Sequence, residues 1–196
     1  MFGTVLKFWF GEEGLPAAEQ ETLARRWFVA DPAFDQEIRA RFGHLVDAAR
    51  AGELDSWAAQ PHSWLALLLV LDQFPRNIHR GTPLAFSGDP KAQHFALAGI
   101  ARGDDLRLPV QQRCFAYLPL EHAEDLRLQQ RCVQLFERLR EDPAATPAEP
   151  YAMYLDYARR HLDVIQRFGR FPHRNAILGR SSSAAEKAYL EAGGGF

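Results

Sequence analysis

Residues 61–77 read PHSWLALLLVLDQFPRN, and from Trp64 to Leu71 no side chain is charged or amidic. A helix carrying that run has no face to offer water, so other elements must enclose it. It is also far too short to cross a bilayer. The run therefore predicts the central helix of a packed array, opened by Pro61 at a first-turn position where a missing N–H costs nothing. Phe74-Pro75 is expected to end it, because proline has no N–H for the ladder and drives its predecessor away from the αR region. This turn occurs twice in the chain. Phe74-Pro75-Arg76-Asn77 returns as Phe171-Pro172-His173-Arg174-Asn175, and each copy is trailed by an arginine, a glycine and a hydroxyl residue: Arg80, Gly81 and Thr82, then Gly179, Arg180 and Ser181. A guanidinium fork beside an amide suits a carboxylate or a phosphate.

Helical spacing continues on both sides, with no convincing strand. Asp31-Pro32 supplies an N-cap and an N1 proline for a helix whose stripe is Phe34, Ile38, Phe42, Leu45, Val46 and Ala49, up to Gly52. Asp89-Pro90 repeats that opening for a helix running to Gly103. Pro109 starts a short helix through Cys114 and Tyr117, which Pro119 is expected to close. From about Glu124 the stripe Leu128, Cys132, Leu135, Phe136 and Leu139 runs on towards Pro143. Residues 141–150, with three prolines, read as the main loop. Pro150 then opens a helix that the second Phe-Pro pair is expected to end. Ser183 and Glu186 have capping-box spacing for a last helix, and Gly193 to Gly195 are expected to fray. The expectation is an all-α chain of about eight helices, one domain over residues 1–192 with a frayed tail at 193–196.

Composition excludes several functions. The 196 residues, 47% hydrophobic and 24% charged, fit one domain with a sizeable core. A formal charge of −2 and the lack of a basic run give nucleic acid no electrostatic footprint. Cys114 and Cys132 are too few and too far apart for a disulfide framework, and their apolar settings predict buried, reduced thiols. The first ten residues lack the basic start and small-residue cleavage site of a secretory signal. The expected location is cytoplasmic, with no membrane partner.

Two readings of Arg76, Asn77, Arg80, Arg174, Asn175 and Arg180 stand side by side. They cap helix C-termini, where cations and turn-forming amides satisfy free carbonyls. Or the two turns meet in the fold and clamp an anion. Asp72, four residues before Arg76 on one helical face, can pair with it, which favours the first reading. His122 sits within Glu121-His122-Ala123-Glu124-Asp125, and a carboxylate-oriented imidazole is a competent general base. Glu124 and Asp125 also suit the first turn of a helix, where they complement the dipole. His161 shares a stripe with Ile165 and Phe168 and reads as a core histidine; His173, inserted in the second turn, is the more suggestive. No H-x-x-x-H or H-x-H pair appears, so no metal is expected. Without a glycine-rich phosphate loop or a nucleophile elbow, neither a cofactor nor a covalent nucleophile is expected. Trp27-Phe28 can line a pocket, although nothing in the spacing requires it.

These residues carry a resemblance. Phe8-Trp9-Phe10, Trp27-Phe28, the Leu71–Asn77 and Arg80–Thr82 segments, Leu118–Leu126, and the stretch from His161 through Phe168–Asn175 to Leu178–Arg180 are similar to the bacterial family catalogued as domain of unknown function 924. It covers almost the whole length. The resemblance implies a tetratricopeptide-like helical fold, an all-α superhelical array, and implies no established activity. Its signature consists of polar turn and loop residues rather than packing residues, which speaks for a site.

The expected function is a polar pocket for a small phosphate- or carboxylate-bearing molecule, with hydrolysis by an activated water as the default reaction. His122 and His173 would do the acid–base work, with Glu124 or Asp125 orienting an imidazole. Arg76, Asn77, Arg80, Arg170, Arg174, Asn175 and Arg180 would hold the ligand. The alternative is a non-enzymatic scaffold binding a peptide or protein partner on a concave face. The first reading requires Arg76, His122, His173 and Arg174 to converge.

Overall fold

In the computed structural model, which describes residues 1–12 and 14–196, every side chain from Trp64 to Leu71 is wholly withdrawn from solvent. The helical segments are α1 (Phe2–Phe10), α2 (Ala17–Phe28), α3 (Pro32–Ala51), α4 (Pro61–Leu68), α5 (Phe74–Ile78), α6 (Asp89–Arg102), α7 (Val110–Glu121), α8 (Leu126–Glu141), α9 (Ala148–Phe168) and α10 (Ala184–Glu191). A π turn, Leu69–Gln73, fuses α4 and α5 into one rod, so the described residues form nine rods and no strand. Around that rod pack α1, α3, α6 and α7; α8 and α9 then add to α7 in succession, and α10 rests on a short turn at Pro172–Arg174. No helix among the described residues is long and apolar enough to cross a membrane.

The elements that read clearly from spacing form as expected. Asp31 caps α3 by accepting from the Ala33 and Phe34 N–H groups, and the six predicted stripe residues are all buried. Trp64 meets α6 by donating its indole N–H to the Phe95 carbonyl at 2.7 Å, which satisfies a fully buried polar atom. Both cysteines are free and buried, and burial pushes their thiols well up from the ordinary value. Ser183 and Glu186 form the reciprocal capping box that opens α10. Ser183→Ala is expected to cost about 1 kcal/mol, read as a shifted urea midpoint, with amide exchange quickening in α10 first.

Proline is where the expectation fails. Phe74-Pro75 does not end the central helix, which continues to Ile78. The π turn makes the accommodation: Phe74 donates its N–H five residues back to the Leu69 carbonyl, and the wider turn takes the pyrrolidine ring. The Arg76 side chain then supplies a donor to the Asp72 carbonyl at 2.7 Å. Pro119 likewise lies inside α7, which runs on to Glu121. At the other copy, α9 stops at Phe168 because Gly169 turns left-handed (φ 69°) and returns its N–H to Ile165, three residues before Pro172 can act. Asp89 is the first residue of α6 rather than its cap, and its carboxylate is engaged elsewhere. Asp125, not Glu124, begins α8, accepting from the Arg127 and Leu128 N–H groups.

Candidate functional site

The rod, the start of α6 and the Pro172–Arg174 turn bring four charges together in the interior. Asp72, on the π turn, is 1% exposed and lies 3.1 Å from Arg76 Nη1. Arg76 also grips Asp89 with both nitrogens, at 2.8 and 2.9 Å. Arg174 comes to the same Asp89 from the far end of the chain, at 3.5 Å, its guanidinium layered between the rings of Phe86 and Phe171 at 4.6 and 4.4 Å. Two cations and two carboxylates thus balance in a place with little water. Burial and the charge of Arg76 push Arg174 down to about 10. Burial opposes ionisation of Asp72, but Arg76 and His122 overcome it and hold that carboxyl far below its usual range.

His122 follows the last residue of α7, and its Nδ1 lies 2.8 Å from Asp72 Oδ1. Burial and Arg76 lower its pKa against the pull of Asp72, which leaves a neutral ring. With Asp72 ionised, the ring proton sits on Nδ1 and is donated to the carboxylate. The lone pair is then on Nε2, which has no partner among the described residues. Gln73 donates to the second Asp72 oxygen at 2.6 Å and fixes the carboxylate's orientation.

Beside this dyad stands Glu121, 4% exposed. Burial and then the Asp72 charge push its carboxyl up to about 8, so it carries a proton at neutral pH. His161 Nδ1 is 3.5 Å from it and donates to the Tyr157 carbonyl at 2.8 Å. Burial holds His161 at about 3, and it stays neutral. Glu121, His122, His161, Gln73 and Arg76 all line one cavity of about 380 Å³, together with the aromatic side chains Trp27, Phe28, Phe136, Tyr154 and Tyr157. Arg160 stands on its lining, over the Tyr157 ring, with no carboxylate partner among the described residues.

Of the residues singled out from sequence, Arg76, Asn77, Arg80 and His122 line this cavity. Asn77 and Arg80 are both tied to Asp35 on α3, the arginine by two nitrogens at 2.9 and 3.0 Å. Arg174 stands one layer behind, through Asp89. Arg170, Asn175 and Arg180 lie outside the cavity lining and hold the chain's last turns: Arg170 grips Glu186, Arg180 grips Glu124, and Asn175 bridges Arg180 and Ser182. Glu124 accepts from Arg180 and from the Phe171 N–H, so the carboxylate that orients His122 is Asp72 and not Glu124 or Asp125. His173 packs against Phe171 with a buried Nδ1 that has no partner among the described residues. Spacing alone does not mark Glu121, His161 or Arg160 as site residues. Among the described residues no three His, Cys, Asp or Glu side chains gather as a metal site.

Fold and site together define a small all-helical protein with a carboxylate–imidazole centre buried beneath an aromatic-walled cavity. The chain belongs to the bacterial family of proteins of unknown function DUF924, whose model matches residues 5–194. It is similar to a solved structure of a protein of unknown function from Agrobacterium tumefaciens, at 39% identity and a TM-score of 0.83, over 97% of each chain. No curated protein matches it.

Proposed function

We propose that the chain is an acid–base enzyme that uses water to cleave a small amphipathic substrate bearing a carboxylate or a phosphate. The observation that carries this is the 2.8 Å contact of Asp72 with His122 Nδ1, which leaves Nε2 without a partner among the described residues on a ring that lines the cavity. At neutral pH a neutral His122 stands next to a protonated Glu121, and a site whose environments drive two groups apart in this way has its base and its acid assigned. His122 Nε2 takes a proton from water while the water oxygen bonds to the electrophilic carbon or phosphorus. The bond to the leaving group breaks, and the leaving group takes the Glu121 proton. Asp72 stabilises the imidazolium that forms, and solvent returns that proton to Glu121. Arg160 is the cation with charge to spare for the substrate anion; Arg76, Asn77 and Arg80 complete that side from their existing pairs. A tetratricopeptide-like array, which the family resemblance implies, would be compatible with this role, since one fold hosts many functions.

The test is a thermal-shift panel of phosphorylated and carboxylated metabolites, followed by product analysis on any compound that binds. A true ligand at about a hundred times its Kd adds about 2.7 kcal/mol, a rise of about 5 °C or more for a chain of this size. His122→Ala should keep the binding shift and lose turnover. A panel with no shift and no turnover sinks the proposal. A second reading, a surface for a peptide partner, is favoured by the exposed apolar side chains Phe28, Val29, Met153 and Tyr157 grouped around the cavity. Binding that depends on those residues and leaves every small molecule inert would select it.

A further inference from the structure

One end of the cavity is already filled by the chain itself. The Phe196 ring lies parallel to His161, with centroids 3.6 Å apart and planes 12° from each other. It meets Phe171 edge-on at 6.2 Å and His173 at 5.8 Å and 81°. One stacked partner and two edge partners are what an aromatic ring prefers. The niche is stiff, because Phe171 is fully buried and backed by the Arg174 guanidinium, which Asp89 fixes in turn. His161 is neutral, so the stack joins two uncharged rings.

The covering segment is fitted to its place. A Cβ on Gly194 would fall 2.4 Å from the Tyr189 ring, so only glycine permits this close approach. Beneath the segment lies His173 Nδ1, a buried polar atom without a partner among the described residues, and such atoms are uncommon in folded proteins. Beyond it a second cavity of about 640 Å³ opens beside α9 and α10, sharing Arg160, Gly195 and Phe196 with the first. Gly193–Phe196 is therefore a partition between two spaces, and Phe196 remains 46% exposed upon it.

We propose that Gly193–Phe196 is a self-ligand, with Phe196 filling an aryl subsite, built from His161, Phe171 and His173, that takes the planar aromatic group of an aryl-substituted carboxylate. This rests on the cavity being the ligand site described above and adds the class of substrate. A ligand ring that displaces Phe196 regains the same stack and edges. Its carboxylate lies within range of Arg160, whose guanidinium is 5.9 Å from the present ring, and a polar substituent can meet His173 Nδ1.

The experiment is calorimetric titration of the full chain with 3-phenylpropionate and, as a non-planar control, 3-cyclohexylpropionate. Phe196→Ala is expected to bind the phenyl compound about tenfold tighter than wild type, because a subsite open about one-tenth of the time weakens apparent affinity by that factor. The cyclohexyl compound should gain little, and His161→Leu in the same background should lose the gain. Equal affinity in wild type and Phe196→Ala, equal gain for the cyclohexyl compound, or no binding to either form overturns the proposal. Its fate is separable from that of the catalytic reading: the phenyl gain must persist in His122→Ala, whatever becomes of turnover.

Discussion

Asp72→Asn is expected to lower turnover by about 10⁴-fold, the scale seen when a buried carboxylate that fixes an imidazole's tautomer becomes an amide. The amide can present its NH₂ to His122 Nδ1, which moves the ring proton to Nε2 and removes the lone pair there. Nitrogen-15 shifts of His122 report the tautomer directly, without a substrate, and an unchanged tautomer in Asp72→Asn would falsify the role given to Asp72. Asp72→Ala goes further. It strips a carboxylate that Gln73, Arg76 and His122 all address, and breaking a buried pair from one side costs about 3–5 kcal/mol. Urea unfolding should show that loss, with Asp72→Asn clearly milder.

The second large effect is in pH. Glu121 has its folded pKa raised from 4.5 to about 8, and His161 has its lowered from 6.5 to about 3. Between about 4.5 and 6.5 the folded pair holds one proton, on Glu121, and the unfolded pair also holds one, on His161. The pair adds no slope there. Above 6.5 the unfolded chain holds none while the folded chain keeps one until about 8, so stability falls as pH rises. Below 4.5 the unfolded chain holds two while the folded chain holds one until about 3, so stability falls as pH drops. Each flank amounts to about 2 kcal/mol, at about 1.4 kcal/mol per pH unit over one and a half units. Urea midpoints from pH 3 to 9 should show the plateau, and Glu121→Gln should flatten the alkaline flank while the acid flank extends upward to about 6.5, because nothing then offsets the titration of His161. An alkaline flank that survives Glu121→Gln belongs to another group.

How much of the molecule is legible in the sequence depends on the range of each signal. The α3 stripe and the Ser183 capping box are local and periodic, and both form as read. Phe74-Pro75 and Pro119 mislead because the rule weighs one missing N–H, whereas at Pro75 a π turn accommodates the ring and the helix continues. Asp72 is visible as a partner for Arg76, four residues on, but its link to His122 spans 50 residues. Asp89-Pro90 has the appearance of a cap, and only the fold reveals that Arg76 and Arg174 take that carboxylate. His161 is buried, as a core histidine should be, yet it forms a cavity wall. Nothing local distinguishes those two situations.

Asp89 joins the two Phe-Pro segments, since Arg76 precedes it by 13 residues and Arg174 follows it by 85. Translation delivers these partners at different times. When Arg76 and Asp89 have left the ribosome they can pair at once, but the interior still lacks the second cation and the Phe171 ring that Arg174 supports. Domains take shape from the N-terminal end during synthesis, and contacts this distant in sequence form late. The helices around the apolar rod can therefore assemble early, whereas the electrically balanced centre, and with it the aromatic end of the cavity, waits until Phe171 and Arg174 have emerged.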